Sequence, residues 1–224
     1  MVWVTARDEQ MLEWLGLVKI TSMDGVRWVL GALNGTGGPV SLRQAQAWAA
    51  RMEKVELVGR GRVSSVGGAL VWPTHAASGR TPPALLRQTT RHEVAVSLAS
   101  ARYVAAGWSW DKDQGTATKT IHRADGVAFY GSSTDLVEVE LTGKRPMRYR
   151  EILSAFRWRV AQEGVSSVTY LCTAPAARAL NAALATDGGY GLREHTRVVE
   201  VFDARGMWVG ADQLPWLAVE ESAS

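Results

Sequence analysis

Apolar and polar positions follow two different periods along this chain. Over residues 6–17, Met11, Leu12, Trp14, Leu15 and Leu17, followed by Val18, recur at three- and four-residue steps, the spacing of one helix face. Thr5 stands where an N-cap is needed. A second helix is expected over 22–33, with Val26, Val29, Leu30 and Leu33 inward. The glycine-rich run ending at Pro39 stops it. Ser41 caps a third helix to Lys54, with Leu42, Ala45, Ala49 and Met52 on its apolar side. Residues 55–74 (VELVGRGRVSSVGGALVWPT) change to a strand pattern and read as a hairpin closed by a Gly/Ser turn.

Residues 75–83 are rich in Ser, Gly, Thr and Pro and read as a linker. Helical spacing returns over 84–106, with Leu85, Leu86, Val94, Leu98, Ala101, Val104 and Ala105 on one side. A short strand is expected at 108–110, a polar turn over 111–119, and strands over 121–130 and 135–142. Pro146 suits the first position of a helix to Glu163, with Tyr149, Ile152, Leu153, Phe156 and Val160 inward. A strand (165–173), a helix (175–185), a glycine-rich loop, a strand (196–202) and an irregular acidic end complete the pattern.

This order predicts an α+β protein with two domains. Residues 1–74 carry three helices and a basic hairpin, the order of a winged helix-turn-helix. Residues 84–224 form an α/β domain around a mixed sheet. The charge agrees with a nucleic-acid role for the first. The chain carries a net +3, and residues 1–80 hold nine Lys/Arg against six Asp/Glu, while the rest is balanced. In a winged helix the third helix enters a major groove and the hairpin touches the flanking backbone. Arg43, Gln44, Gln46 and Arg51 on that helix, and Arg60 and Arg62 on the hairpin, are the expected contacts to double-stranded DNA. A small protein-docking module would show the same helices, so a docking adaptor is the other reading of this part.

Other classes are excluded by what the chain lacks. Cys172 is the one cysteine, so neither a disulfide framework nor a cysteine-based zinc site is available. It lies in an apolar run and is expected to be an inert core residue. No apolar run is long enough for a membrane-spanning helix, which needs about 18 residues. No charged-then-apolar leader opens the sequence, so a cytoplasmic protein is expected. The ten tryptophans are expected in packing rather than in a stacking platform.

One stretch carries candidate chemistry. Between Ala124 and Lys144 two apolar runs, GVAFY and LVEVEL, flank a GSST turn. Alternation along a strand sends Glu138 and Glu140 to one face and Val137, Val139 and Leu141 to the other. Asp125 enters from the neighbouring strand. Three carboxylates with Lys144 close by suit Mg²⁺ or Mn²⁺, which can activate water against a phosphodiester. Acids alternating with valines are equally the signature of a half-exposed strand. The following helix carries Arg145, Arg148, Arg150, Arg157 and Arg159, and Arg145 and Arg148 are added to the expected DNA contacts.

The order helix, three strands, helix, strand resembles the core of the PD-(D/E)xK nuclease fold. Asp125 stands at its first acid, with Ala124 where the motif has proline. Glu138-Val139-Glu140 stands at D/E-x-K, with Glu140 in the lysine position and Lys144 as a displaced lysine. Over residues 6–185 the chain is more specifically similar to the replication-relaxation family of actinobacterial plasmids, integrative elements and phages. RHEVAVSLASARYVAAGW, ADGVAFY and LVEVELTGKRPMRYREILSAF carry the likeness. It implies a winged helix joined to a nuclease-like domain, and a DNA-binding protein acting in replication, transfer or DNA processing. If such a domain cuts DNA, Asp125 and Glu138 hold the metal, Glu140 helps hold it or orients water, and Lys144 stabilises phosphate charge. The alternative is a non-catalytic regulator whose second domain serves as a homodimer interface or grips the DNA backbone.

Overall fold

The computed structural model describes residues 3–63, 66–115, 122–186 and 189–217. The serines of the hairpin turn (64 and 65), the last four residues of the polar turn (116–119), the expected strand start at 121, part of the glycine-rich loop and the acidic end lie outside these. The described residues form seven α-helices and two sheets, an α+β architecture, in two compact units. The first comprises residues up to Trp108 together with 211–217, and the second spans Ser109–Gly210.

In the first unit, α1 (Ala6–Val18), β1 (Thr21–Ser22), α2 (Met23–Leu33) and α3 (Leu42–Lys54) precede a hairpin of β2 (Val58–Val63) and β3 (Val66–Pro73). The three strands are antiparallel in the order β1-β3-β2, so the short β1 pairs with the far strand of the hairpin. Capping boxes start α1 at Thr5 with Asp8 and α3 at Ser41 with Gln44. Met11, Trp14 and Leu15 of α1, Val26 and Val29 of α2, and Ala45, Trp48, Ala49 and Met52 of α3 meet in one core. Leu42 departs from the expected stripe. It sits at the first helical position, one turn before Ala45, and is 49 % exposed.

The hairpin depends on a close approach. Trp72 lies flat across β2, and a Cβ on Gly59 would fall 2.4 Å from its Nε1. Gly59→Val is therefore expected to push the indole off the strand. It should lower stability by about 1–3 kcal/mol, the usual range for overpacking, as read by urea unfolding.

The long helix differs from the pattern in extent and allegiance. After α4 (His75–Ser78), residues 84–89 form turns, and α5 runs from Thr90 to Ala105. Leu86 is exposed, and Leu85 approaches Gly61 instead of joining the helical stripe. α5 packs on α1, α2 and β1. Trp14 Nε1 donates to Ser100 Oγ at 2.9 Å, and Ser97 Oγ donates to Thr21 Oγ1 at 2.8 Å. The sequence places 84–108 with the second domain. These polar ties between small serines and the first helices put it in the first, and the division falls after Trp108.

The second unit holds a five-stranded mixed sheet, β4 (Ser109–Asp111), β5 (Gly126–Tyr130), β6 (Ser133–Glu140), β7 (Ser167–Thr173) and β8 (Thr196–Phe202), in that spatial order. β4, β5 and β6 are antiparallel, whereas β6, β7 and β8 are parallel. Parallel neighbours need crossovers, and α6 (Pro146–Glu163) and α7 (Ala174–Leu184) supply them. Tyr149, Ile152, Leu153 and Phe156 of α6 and Ala176 and Leu180 of α7 cover Leu136, Val168, Tyr170 and Cys172 of the sheet. Arg159 of α6 forms a buried pair with Asp113, whose Oδ2 also accepts the Ala124 N–H at 2.6 Å. That pair fixes the approach to β5.

Candidate functional site

The outward face of α3 is shaped by which of its polar residues are already engaged. Gln44 Oε1 accepts from the Ser41 N–H at 2.9 Å and from Ser41 Oγ at 2.8 Å. It is the capping residue of its own helix. Arg51 grips Asp8 with both terminal nitrogens, Nη1 to Oδ2 at 2.9 Å and Nη2 to Oδ1 at 2.6 Å. Trp48 Nε1 donates to the same carboxylate at 2.9 Å, and Asp8 is fully buried. Burial alone would raise the Asp8 pKa. The hydrogen bonds from Arg51, Thr5 and Trp48 outweigh it and hold the group well below the usual carboxylate range. Gln44 and Arg51 thus have structural partners that the sequence reading of DNA contacts does not assign them.

Besides Leu42, Gln44 and Lys54, the exposed residues of α3 are Arg43, Gln46, Ala47 and Ala50. The two alanines flatten the middle of this face, so another surface can approach the helix closely. On the hairpin, Arg60 Nε donates to Glu53 Oε2 at 2.8 Å, and Arg62 is exposed. On α6, Arg145 is the exposed N-cap residue, and Arg148 pairs with Glu151 at 2.9 Å, three residues on.

The acidic cluster lies on the sheet of the second unit. Gly126 stands opposite Val137, which sets Asp125 beside the middle of β6. Asp125 Oδ2 accepts the Val139 N–H at 2.8 Å. Glu138 neighbours Tyr170 and Glu140 neighbours Cys172 on β7. The two glutamates do share a face, as the alternation predicts. That face is not half-exposed. It is the one α6 and α7 cover, and Glu138 and Glu140 are 3 % and 5 % exposed. The opposite face, with Val137 and Val139, is buried too.

Burying carboxylates is costly unless they are paired, and both glutamates are. His122 Nε2 lies 2.7 Å from Glu138 Oε1, and Lys144 Nζ donates to Glu140 Oε2 four residues back. Burial lowers the His122 pKa to about 4, assisted by the positive charges of Arg148 and Lys144. The ring is therefore neutral at pH 7, and Nε2 must carry the hydrogen that Glu138 accepts. Burial also lowers the Lys144 pKa, opposed by the charges of Glu138 and Asp125. Tyr149 and Tyr170 bury their hydroxyls against this cluster with no hydrogen-bond partner among the described residues. Both phenols are pushed above their usual pKa, chiefly by burial. Burial pushes the Cys172 thiol up to about 12, so it is an inert core residue as its apolar setting suggests.

These contacts decide whether the donors fit a divalent ion. Asp125, Glu138 and Glu140 each spend an oxygen on a protein donor. Among the described residues no group of three or more His, Cys, Asp or Glu side chains is arranged to hold a metal ion. The Mg²⁺ or Mn²⁺ site that the sequence suggests does not fit this arrangement, because Glu138 accepts from the neutral His122, Asp125 from a strand N–H, and Glu140 from its counter-charge Lys144. His122 is the member that sequence reasoning passes over. Its sole signal is its place three residues ahead of Asp125, and only the return of β6 brings it to Glu138.

No family model, curated protein or solved structure matches this chain. Among the described residues no helix is long and apolar enough to cross a membrane.

Proposed function

We propose that the chain is a double-stranded-DNA-binding protein that reads its target with α3. The observation that carries this is the outward face of α3, with Arg43 and Gln46 beside the small Ala47 and Ala50. Arg suits the guanine edge and Gln the adenine edge in a major groove. The order helix, strand, helix, helix, strand, strand, with β1 paired to the far strand of the hairpin, supports reading the first unit as a winged helix. In that reading Arg62, and Arg60 after release from Glu53, touch the flanking phosphates.

For the second unit, the paired carboxylates favour the non-catalytic reading over a nuclease. The proposed role on a plasmid, phage or other mobile element, in replication, transfer or its regulation, rests on the resemblance of residues 6–185 to the replication-relaxation family, which no family model matches. Catalysis is not part of the proposal.

The test is fluorescence anisotropy with a labelled duplex pool, followed by selection of the preferred sequence. The wild type is expected to bind with the same affinity in Mg²⁺ and in EDTA. Arg43→Ala should cost about 1–3 kcal/mol on the selected sequence and relax the preference at one base position. Equal binding of all sequences by wild type and variant, or magnesium-dependent cleavage lost in Asp125→Ala, would refute this reading.

A further inference from the structure

The outer face of α6 has a composition that packing does not require. Residues 144–195 hold eight Lys/Arg against four Asp/Glu, a larger excess than the +3 of the whole chain. Lys144, Arg148 and Arg159 are paired with Glu140, Glu151 and Asp113, so the excess positive charge that α6 shows to solvent is that of Arg145, Arg150 and Arg157. On the solvent arc of the helix, Arg150 and Arg157 stand seven residues apart, about 10.5 Å along the axis at 1.5 Å per residue. Ser154 lies between them and leaves the centre of the arc low. Met147 and Trp158 lie on the other side of Ser154. Met147 is 62 % exposed and Trp158 44 %. An exposed tryptophan is not in the packing role expected for the tryptophans of this chain. A second aromatic stands at the same end of the helix. Tyr190 is 82 % exposed, and its carbonyl oxygen accepts from Arg157 Nη1 at 3.4 Å.

A row of arginines beside exposed rings is the pairing that a nucleic-acid single strand requires. The arginines neutralise the backbone, and the rings stack unpaired bases. A duplex offers phosphates but no free base faces, so it would leave Trp158 and Tyr190 unused. We propose that the outer face of α6, with the Tyr190 loop, is a single-stranded nucleic-acid binding surface, separate from the α3 face. Arg150 and Arg157 take successive stretches of backbone, and Trp158 and Tyr190 take bases. This surface recognises a charged strand with little sequence preference, because every base has a face to stack.

The experiment uses the full chain and a fluorescein-labelled oligo-dT strand, followed by anisotropy across salt concentrations. Wild type is expected to bind, with affinity falling as salt rises. Arg150→Ala/Arg157→Ala should weaken binding by at least about tenfold and flatten the log–log salt slope by about 1.4, since each phosphate contact on a single strand contributes about 0.7. Trp158→Ala should weaken binding about tenfold while leaving that slope unchanged, because stacking releases no counterions. Arg43→Ala is the control. It should leave oligo-dT binding intact, so failure of the α3 reading and failure of this one are separable. All substituted side chains are exposed, and matching circular-dichroism melts check that each variant is folded. Absence of oligo-dT binding at about 50 mM salt would overturn the proposal. So would equal affinity of wild type and both α6 variants, or loss of binding with Arg43→Ala alone. Pull-down of a protein partner through Trp158 with no strand binding would overturn it in favour of a protein-docking face.

Discussion

Arg51→Met is expected to destabilise the protein by about 3–5 kcal/mol at pH 7, the cost of leaving a buried charge without its partner. Asp8 is fully buried and spans two helices. It completes the capping box of α1 and holds Arg51 and Trp48 of α3. The methionine keeps the length of the stem, so the loss reports the charge rather than a cavity. The effect has a definite pH dependence. The folded pKa of Asp8 is depressed, so its stabilisation is complete above the unfolded value of about 3.9 and is lost as pH falls through the folded value. The gap between wild type and Arg51→Met should therefore be widest near neutrality and narrow below about pH 4. Urea unfolding at a series of pH values measures it. A neutral effect on stability with a loss of DNA binding would instead return Arg51 to the recognition surface.

Lys144→Met is the second large expectation. Glu140 is buried and Lys144 is its hydrogen-bonded counter-charge, lying 6.0 Å above the Tyr149 ring. Removing the lysine strands the carboxylate at the end of β6, at a cost of about 3 kcal/mol. The double change Glu140→Gln/Lys144→Met removes both charges and should recover much of that loss, because a buried pair replaced as a unit is close to neutral. A double-mutant cycle by urea unfolding gives the coupling. A lysine held for phosphate chemistry would behave differently. Its removal would leave stability unchanged or improve it, and the coupling energy would vanish.

These two residues show where sequence and structure part company. Arg51 is expected from the sequence as a contact to DNA, and Lys144 as a displaced lysine that stabilises phosphate charge. Whether such a group faces solvent or a buried carboxylate depends on an acid elsewhere in the chain. Asp8 is 43 residues from Arg51, and no local pattern connects them. His122 and Glu138, 16 residues apart, are a similar case. The exposed face of α3 was more legible. Helical period fixes which residues share a side, and Arg43 and Gln46 fall on the solvent side as predicted. The period could not reveal that Gln44 serves as a cap, although the Ser-x-x-Gln spacing carries that signal.

The sequence by itself determined the local elements. Helical and strand periods, caps at Thr5 and Ser41, Pro146 at a helix start and the glycine runs between elements are short-range constraints, and they gave the α+β class and nearly all the element order. It also determined that Glu138 and Glu140 share a strand face, because alternation is a property of the backbone. Only the tertiary structure decided what lies on each face. It put α6 and α7 over the glutamates, assigned α5 to the first unit through Ser97 and Ser100, and turned Trp158 outward. The physical reason is that burial and charge pairing are set by residues distant in sequence. A side chain's chemistry becomes a function, or a structural tie, only when that distant partner is in place.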